Sequence, residues 1–171
     1  MKTDTSINCE VNILSNLWSL QEEDITQVMR AVELALFCNK ENYNGLKLAA
    51  AVVLADDQFV QNHNYKFRGK NHPTNVLAFP QIQIGHRVQS DFLTGEPIEI
   101  GDIMLAYETV DQEARNAGIS RNQHLLHLVV HGALHLLGHD HQNEFDSKLM
   151  HNMEVEVLEM FGYPDPYINE N

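Results

Sequence analysis

The sequence predicts an α+β fold: a single domain in which a mixed β-sheet of about four strands is packed with helices. Three observations point there. A strand-like alternation near the N-terminus is followed by a long helical period. Short runs rich in Val, Ile and Ala then recur between turn signals. The last third of the chain is helical in pattern, and its longest helix carries most of the histidines. One domain spanning 1–171 accounts for the 171 residues, a length that buries a core without staples.

Residues Ile7 to Leu14 alternate apolar and polar side chains, as a half-buried strand does. Ser19 and Glu22 have capping-box spacing and open a helix to about Cys38, with Ile25, Val28, Val32 and Leu36 on its apolar face. A turn around Asn42 to Gly45 leads into Leu46–Leu54, rich in Ala and Val and read as a buried central strand. Asp56 and Asp57 cap a short helix through Phe59 and Val60. Pro73 to Pro80 has an apolar centre bounded by prolines, which places it at a sheet edge. Gln81 to Pro97 reads as a hairpin-like excursion. Ile98 to Tyr107 is the last strand, with Asp102 assigned to a strand-end turn.

Three helices follow. Thr109 and Gln112 cap a short one ending at Gly118, and Ser120 and Gln123 cap the long one that carries His124, His127, His131 and His135. Phe145, Leu149, Met153 and Val157 recur every four residues and define an amphipathic C-terminal helix, with Glu154, Glu156 and Glu159 on its polar side.

Composition narrows the function. Hydrophobic residues at 43% and charged residues at 20% are those of a soluble globular protein. Two cysteines, Cys9 and Cys38, form neither a zinc ribbon nor a disulfide framework, and read as small apolar fillers in a reducing compartment. Met1 to Asp4 carry no apolar targeting region, and no run has the length of a membrane span, so a cytoplasmic protein with no membrane partner is expected. The net charge of −13 argues against non-specific coating of nucleic acid, and no DNA partner is expected. Within that acidic background Lys66, Arg68 and Lys70 form a small basic cluster.

The chemistry is concentrated in His131-Gly132-Ala133-Leu134-His135-Leu136-Leu137-Gly138-His139-Asp140-His141. On a helix, His131 and His135 project from one face one turn apart. Gly138 ends the helix in a left-handed conformation, and the returning chain brings His141 to the same point. Three neutral imidazoles suit a borderline metal such as Zn2+, one per chain, with a fourth position left for water or substrate. Asp140 has two readings of equal weight, orienting an imidazole or capping the next helix. His127 lies one turn before His131 and could border the cleft, although a core or surface role is the heavier reading. His124 and His139 are read as structural.

Four blocks resemble the YbeY-type bacterial endoribonucleases, the 16S rRNA maturation factors. They are Asn64 to Lys70, Pro73 to Pro80, Gly101-Asp102-Ile103, and the histidine block; Met150, Glu154, Leu158 and Gly162 fit that family's tail. The resemblance implies zinc on His131, His135 and His141, and an arginine, here Arg68, needed for activity. It implies single-stranded RNA and ribosomal RNA as substrate, with the ribosome or its subunit proteins as partners. Lys66 and Lys70 are candidates for steering RNA. The family usually has Asp where Asn75 stands, Ser where Ala78 stands and Tyr where His139 stands; Asn75 removes a charge.

Two rivals remain. The histidine spacing is that of metzincin proteases, but their glutamate general base falls at Gly132, which has no side chain. Alternatively the zinc is structural in a ribosome-assembly factor, and a closed fourth coordination position would favour that reading.

Overall fold

The computed structural model describes residues 5–82 and 96–168. Most of the excursion expected over 81–97 lies outside those residues. Among the described residues there are four strands: β1 (Ser6–Ile13), β2 (Lys47–Ala55), β3 (Val76–Pro80) and β4 (Ile98–Ala106). The helices are α1 (Glu22–Cys38), α2 (Asp57–Arg68), α3 (Tyr107–Ala117), α4 (Arg121–Leu136) and α5 (Glu144–Glu159), with a 3-10 turn at Lys40–Tyr43. The sheet is mixed, in the order β1-β2-β4-β3; β1, β2 and β4 run parallel, and β3 is antiparallel to β4 at the edge. The expected α+β architecture is therefore present, with the proline-bounded run at a sheet edge.

Helices α1 and α4 cover one face of this sheet and α5 packs on both of them; Leu48, Val52, Leu54, Ile100, Ile103 and Leu105 share one core with Val28, Val32, Leu126, Val130, Leu134 and Leu158. On the other face α2 lays Val60 against Ala55, Leu77 and Ala106. Strand β4 serves the main core at both ends only because it carries a bulge. Side chains alternate faces along a strand, so Ile98 and Ile100 would lie opposite Ile103 and Leu105 without an extra residue. Register slips by one at this point, Ala49 facing Glu99 and Ala50 facing Gly101, and all four apolar side chains reach the same core. Gly101 has φ +136°, and a Cβ there would stand 2.2 Å from the Phe79 carbonyl oxygen on β3. Only glycine fits.

Several local expectations are corrected. The box that opens α1 is Gln21 and Asp24, two residues beyond Ser19 and Glu22: the Asp24 carboxylate accepts the Gln21 N–H at 2.9 Å. Helix α2 is much longer than a turn through Val60. Its sheet-facing positions Phe59, His63 and Phe67 stack in series, with ring centroids 4.4 and 6.1 Å apart, and Phe67 meets Phe79. A buried asparagine, Asn64, replaces the apolar residue that would have announced the helix; its amide donates to the His72 carbonyl at 2.9 Å. The basic residues Lys66 and Arg68 therefore lie in the last turn of a helix. Helix α3 starts at Tyr107, directly from β4. Asp57 at the start of α2 accepts the N–H and hydroxyl of Thr109, while Glu108 accepts the Asp57 N–H, so the two helix starts cap each other. Asp102 lies inside β4, opposite Phe79, and is not at a turn.

The expected apolar stripe on α5 is also displaced. Phe145 is 76% exposed and Leu149 39% exposed, while Met150, Glu154, Val157 and Leu158 are buried. The buried face is one residue round from the expected one, and it contains a glutamate.

Helix α4 lies close on β4. A Cβ at Gly132 would come within 2.6 Å of Ile103 Cγ2. Alanine ordinarily stabilises a helix interior over glycine by about 1 kcal/mol. Here Gly132→Ala should instead cost about 1–3 kcal/mol through overpacking. Urea unfolding checks this: the loss should shrink when Ile103→Ala is already present, and strict additivity would contradict the close approach.

Candidate metal centre

Ser120 caps α4, accepting the Gln123 N–H at 3.1 Å as its sequence position predicts. The far end closes at Gly138, φ +87°, where the His139 N–H bonds the Leu134 carbonyl at 3.0 Å. That 6→1 bond is the Schellman arrangement. Two further contacts fix this corner. The hydroxyl of buried Tyr43 donates to the Leu137 carbonyl at 2.5 Å, and His139 Nε2 meets the Asn39 amide oxygen at 2.5 Å. Burial pushes the Tyr43 hydroxyl up to about 12, so it remains a donor.

With the helix end fixed, His131, His135 and His141 each offer a ring nitrogen within 4.8 Å of the others. His131 Nε2 and His135 Nε2 stand 3.2 Å apart. Tetrahedral zinc with bonds of about 2.0–2.1 Å needs nitrogens roughly 3.3 Å apart, so this pair fits such an ion. Burial, reinforced by the two neighbouring imidazoles, lowers the pKa of His135 to about 4. It stays neutral near pH 7, with a lone pair to give. Among the described residues no fourth histidine, cysteine or carboxylate joins the cluster.

The residue that sequence reasoning missed is Glu154. It is 1% exposed, and its Oε1 lies 2.6 Å from His131 Nδ1. A carboxylate accepts, so Nδ1 carries the proton and Nε2 is left free to bind. His127 Nε2 is 3.6 Å from Oε2 of the same carboxylate, and Tyr167 donates its hydroxyl to that oxygen. Burial opposes ionisation of Glu154, but the His127, His131 and Tyr167 side chains gathered around it outweigh burial and hold the carboxyl down to about 2. The four-residue spacing Met150, Glu154, Leu158 carries the signal, but the sequence pattern assigns Glu154 to the polar side of the helix and the structure turns it inward.

The cluster opens into a cavity of about 790 Å³. Its walls are β3 and the segment after it (Val76, Ala78, Pro80, Ile82), the end of α2 (Arg68), and α4 with its following turn (His131, Gly132, His135, Gly138 to His141). Arg68 is exposed and lines the same cavity as the histidines. Lys66 and Lys70 are exposed and are not among its lining residues; the Lys66 ammonium lies 5.1 Å from the Phe67 ring. Asp140 lines the cavity, with its Oδ1 accepting the His141 N–H at 2.8 Å, and capping of α5 falls to Asn143, which accepts the Asp146 N–H. His124 pairs with Glu113 at 2.7 Å, and the Asn75 amide donates to the same carboxylate at 3.0 Å. An aspartate at 75 would face Glu113 as a like charge, where the asparagine amide donates to it.

Fold and site together define a class: an α+β protein with a candidate three-histidine metal centre, open to a cavity that an arginine also lines. The model of one family, Endoribonuclease YbeY, matches residues 11–162, and the chain belongs to that family. It is 41% identical to Endoribonuclease YbeY of Rhodopseudomonas palustris over 162 residues, which is 95% of this chain and 82% of the relative. To the protein of the same name from Bradyrhizobium diazoefficiens it is 36% identical over 159 residues, 92% of this chain and 84% of that one. A Thermotoga maritima protein solved in solution shares the fold, with TM-score 0.57 and 23% identity over 89% of this chain and 87% of its own.

A carboxylate on the far nitrogen of a metal-binding imidazole is worth about 10–100-fold in affinity. Glu154→Gln, which keeps the volume but removes the charge, should weaken binding of one divalent ion by that order. Equilibrium dialysis against buffered zinc checks it, and unchanged affinity would mean that the pair only fills space.

Proposed function

We propose that this chain is a zinc-dependent endoribonuclease that cuts single-stranded RNA in ribosomal RNA maturation, at the 16S 3′ end, and in ribosome quality control, working in the cytoplasm with the ribosome or its subunit proteins. The observation that carries the reading is the shared cavity: a three-imidazole cluster and the Arg68 guanidinium line the same space. His131, His135 and His141 would hold one Zn2+, and the chemistry it supplies when bound is Lewis-acid activation of a nucleophile and neutralisation of charge on phosphate. Arg68 clamps a phosphate through paired N–H donors, as a planar guanidinium is built to do. Glu154 keeps the His131 proton on Nδ1, away from the substrate. The apolar wall of Val76, Ala78, Pro80 and Ile82 takes sugar and base. Tyr65 and Phe67, 62% and 57% exposed beside Lys66, Arg68 and Lys70, offer faces on which unpaired bases can stack outside the cavity. Such contacts need RNA whose bases are splayed out, which favours single strands over duplex.

Geometry speaks against proteolysis. A zinc protease needs a carboxylate to move a proton to the leaving nitrogen. The helix position that carries it elsewhere is Gly132, packed so tightly on Ile103 that no side chain could stand there without displacing Ile103. The assembly-factor reading is weakened by the absence, among the described residues, of a fourth ligand closing the cluster.

The experiment offers the metal-loaded protein an RNA with paired and unpaired segments beside an unfolded polypeptide. Cleavage is expected in the unpaired RNA only, abolished in His135→Ala and reduced about 10²–10³-fold in Arg68→Ala, the usual loss of one charge-stabilising donor. Arg68→Ala should keep its metal content and melting temperature. Peptide cleavage that His135→Ala removes, with the RNA left intact, would overturn the reading.

A further inference from the structure

We propose that the segment following α5 belongs to the scaffold of the metal centre, with Tyr167 as a positioning residue that holds Glu154 against His131. This rests on the metal reading of the histidine cluster, and it concerns residues beyond 162, where the match to the family model ends.

After Gly162 the chain turns back along α5 and sets Tyr167 between helices α4 and α5. Its hydroxyl donates to Glu154 Oε2 and stands 3.3 Å from His127 Nε2. The ring is gripped from two sides: His151 of α5 lies against it with centroids 4.1 Å apart, and His127 of α4 meets it edge-on at 5.5 Å. Asp165 locks the approach, since its Oδ1 accepts the Tyr167 N–H at 2.8 Å and lies 3.4 Å from His151 Nε2. The tyrosine is thus held by its ring and its backbone, independently of the hydrogen bond it makes.

That bond matters because the two oxygens of Glu154 have different partners. Oε1 takes the proton-bearing nitrogen of His131, and Oε2 takes the Tyr167 hydroxyl. The terminal torsion of a glutamate is broad and two-fold, so the carboxylate plane is set by its partners rather than by its own rotamer. Without the hydroxyl, Oε2 retains the His127 contact at 3.6 Å, longer than a good hydrogen bond. The buried carboxylate then has reason to turn toward His127, and in doing so loosens the in-plane bond that aims His131 Nε2 at the cluster. A loose C-terminal tail would have no such consequence. Here the tail reaches a ligand through one intervening side chain.

The test titrates the metal-free full-length protein with Zn2+, and separately with Co2+, whose visible absorption reports the geometry of its ligands. Tyr167→Phe should bind both ions about threefold to tenfold more weakly, a fraction of the 10–100-fold worth of a direct outer partner, and should alter the Co2+ spectrum. Its metal-free melting temperature should fall somewhat, because a buried carboxylate loses a donor, so affinity and spectrum are read well below it on folded protein. Asp165→Ala, which frees the tyrosine without touching Glu154, should move affinity and spectrum the same way by less. A Tyr167→Phe protein with parental affinity and spectrum overturns the inference, as does one that melts earlier without losing affinity. Failure of the parent to bind either ion overturns the metal reading together with this inference. Failure to cleave RNA, with the affinity difference intact, overturns the nuclease reading alone.

Discussion

Burial of helix α4 is the constraint on which the rest of the structure depends. From Leu125 to Leu136 all of its residues are buried except His127, His131 and His135. Such a helix is stable only if neighbours cover it on most sides, and β3, β4, α1, α3 and α5 do so. What remains open is a single seam with a four-residue recurrence, the period at which helical side chains fall in line. Polar imidazoles can lie only along that seam, where water, a carboxylate or a metal satisfies them. The fold confines three histidines to one line, and two of them reach the cavity while the third joins the buried polar group around Glu154.

That buried group answers a problem the seam creates. Glu154 sits on the side of His131 away from the cavity, so its negative charge strengthens the imidazole without presenting a repulsive face to an anionic substrate. The cavity side carries an exposed guanidinium, Arg68, and three imidazoles, side chains that bring no negative charge. A divalent ion on three neutral imidazoles keeps both its positive charges. A net charge of −13 and an anionic substrate are thereby compatible: what counts is the local field in the cavity, and the acidic remainder of the surface discourages binding elsewhere.

Much of this was legible in the sequence, for identifiable reasons. The clustering of His131, His135 and His141 was readable because helical spacing and a following glycine are local facts. Strand positions were readable from alternation, and β3's edge position from its prolines. Glu154 was not, because a glutamate among Glu156 and Glu159 looks like part of a solvated face, and only the packing of α5 on α4 turns it inward. The length of α2 was hidden by His63 and Asn64, polar residues in places where an amphipathic pattern wants apolar ones. The α3 start was hidden because its cap comes from Asp57, fifty residues earlier in the chain. For Glu154 and for the α3 start the missing information was tertiary: the side chain's partner lay on another element.

The three candidate ligands differ in how firmly they are held, and the difference has a thermodynamic consequence. His131 and His135 ride on a helix buried on most sides, with their separation set by α-helical geometry. His141 is exposed and lies beyond Gly138, on a turn secured by the Tyr43 and Asn39 contacts up to His139 and by little that is buried after it. An ion bound by all three would tie that turn to α4, and the turn leads directly into α5, which carries Glu154. Closing the cluster thus draws in the helix that orients its first ligand, so ligand binding and α5 docking support one another. Binding to the folded state alone stabilises it by RT ln(1 + [L]/Kd), about 2.7 kcal/mol when free metal is a hundredfold above Kd. Most of that gain should be felt in the turn and α5 rather than in the sheet, because α4 and β4 are packed without the ion and the turn is not.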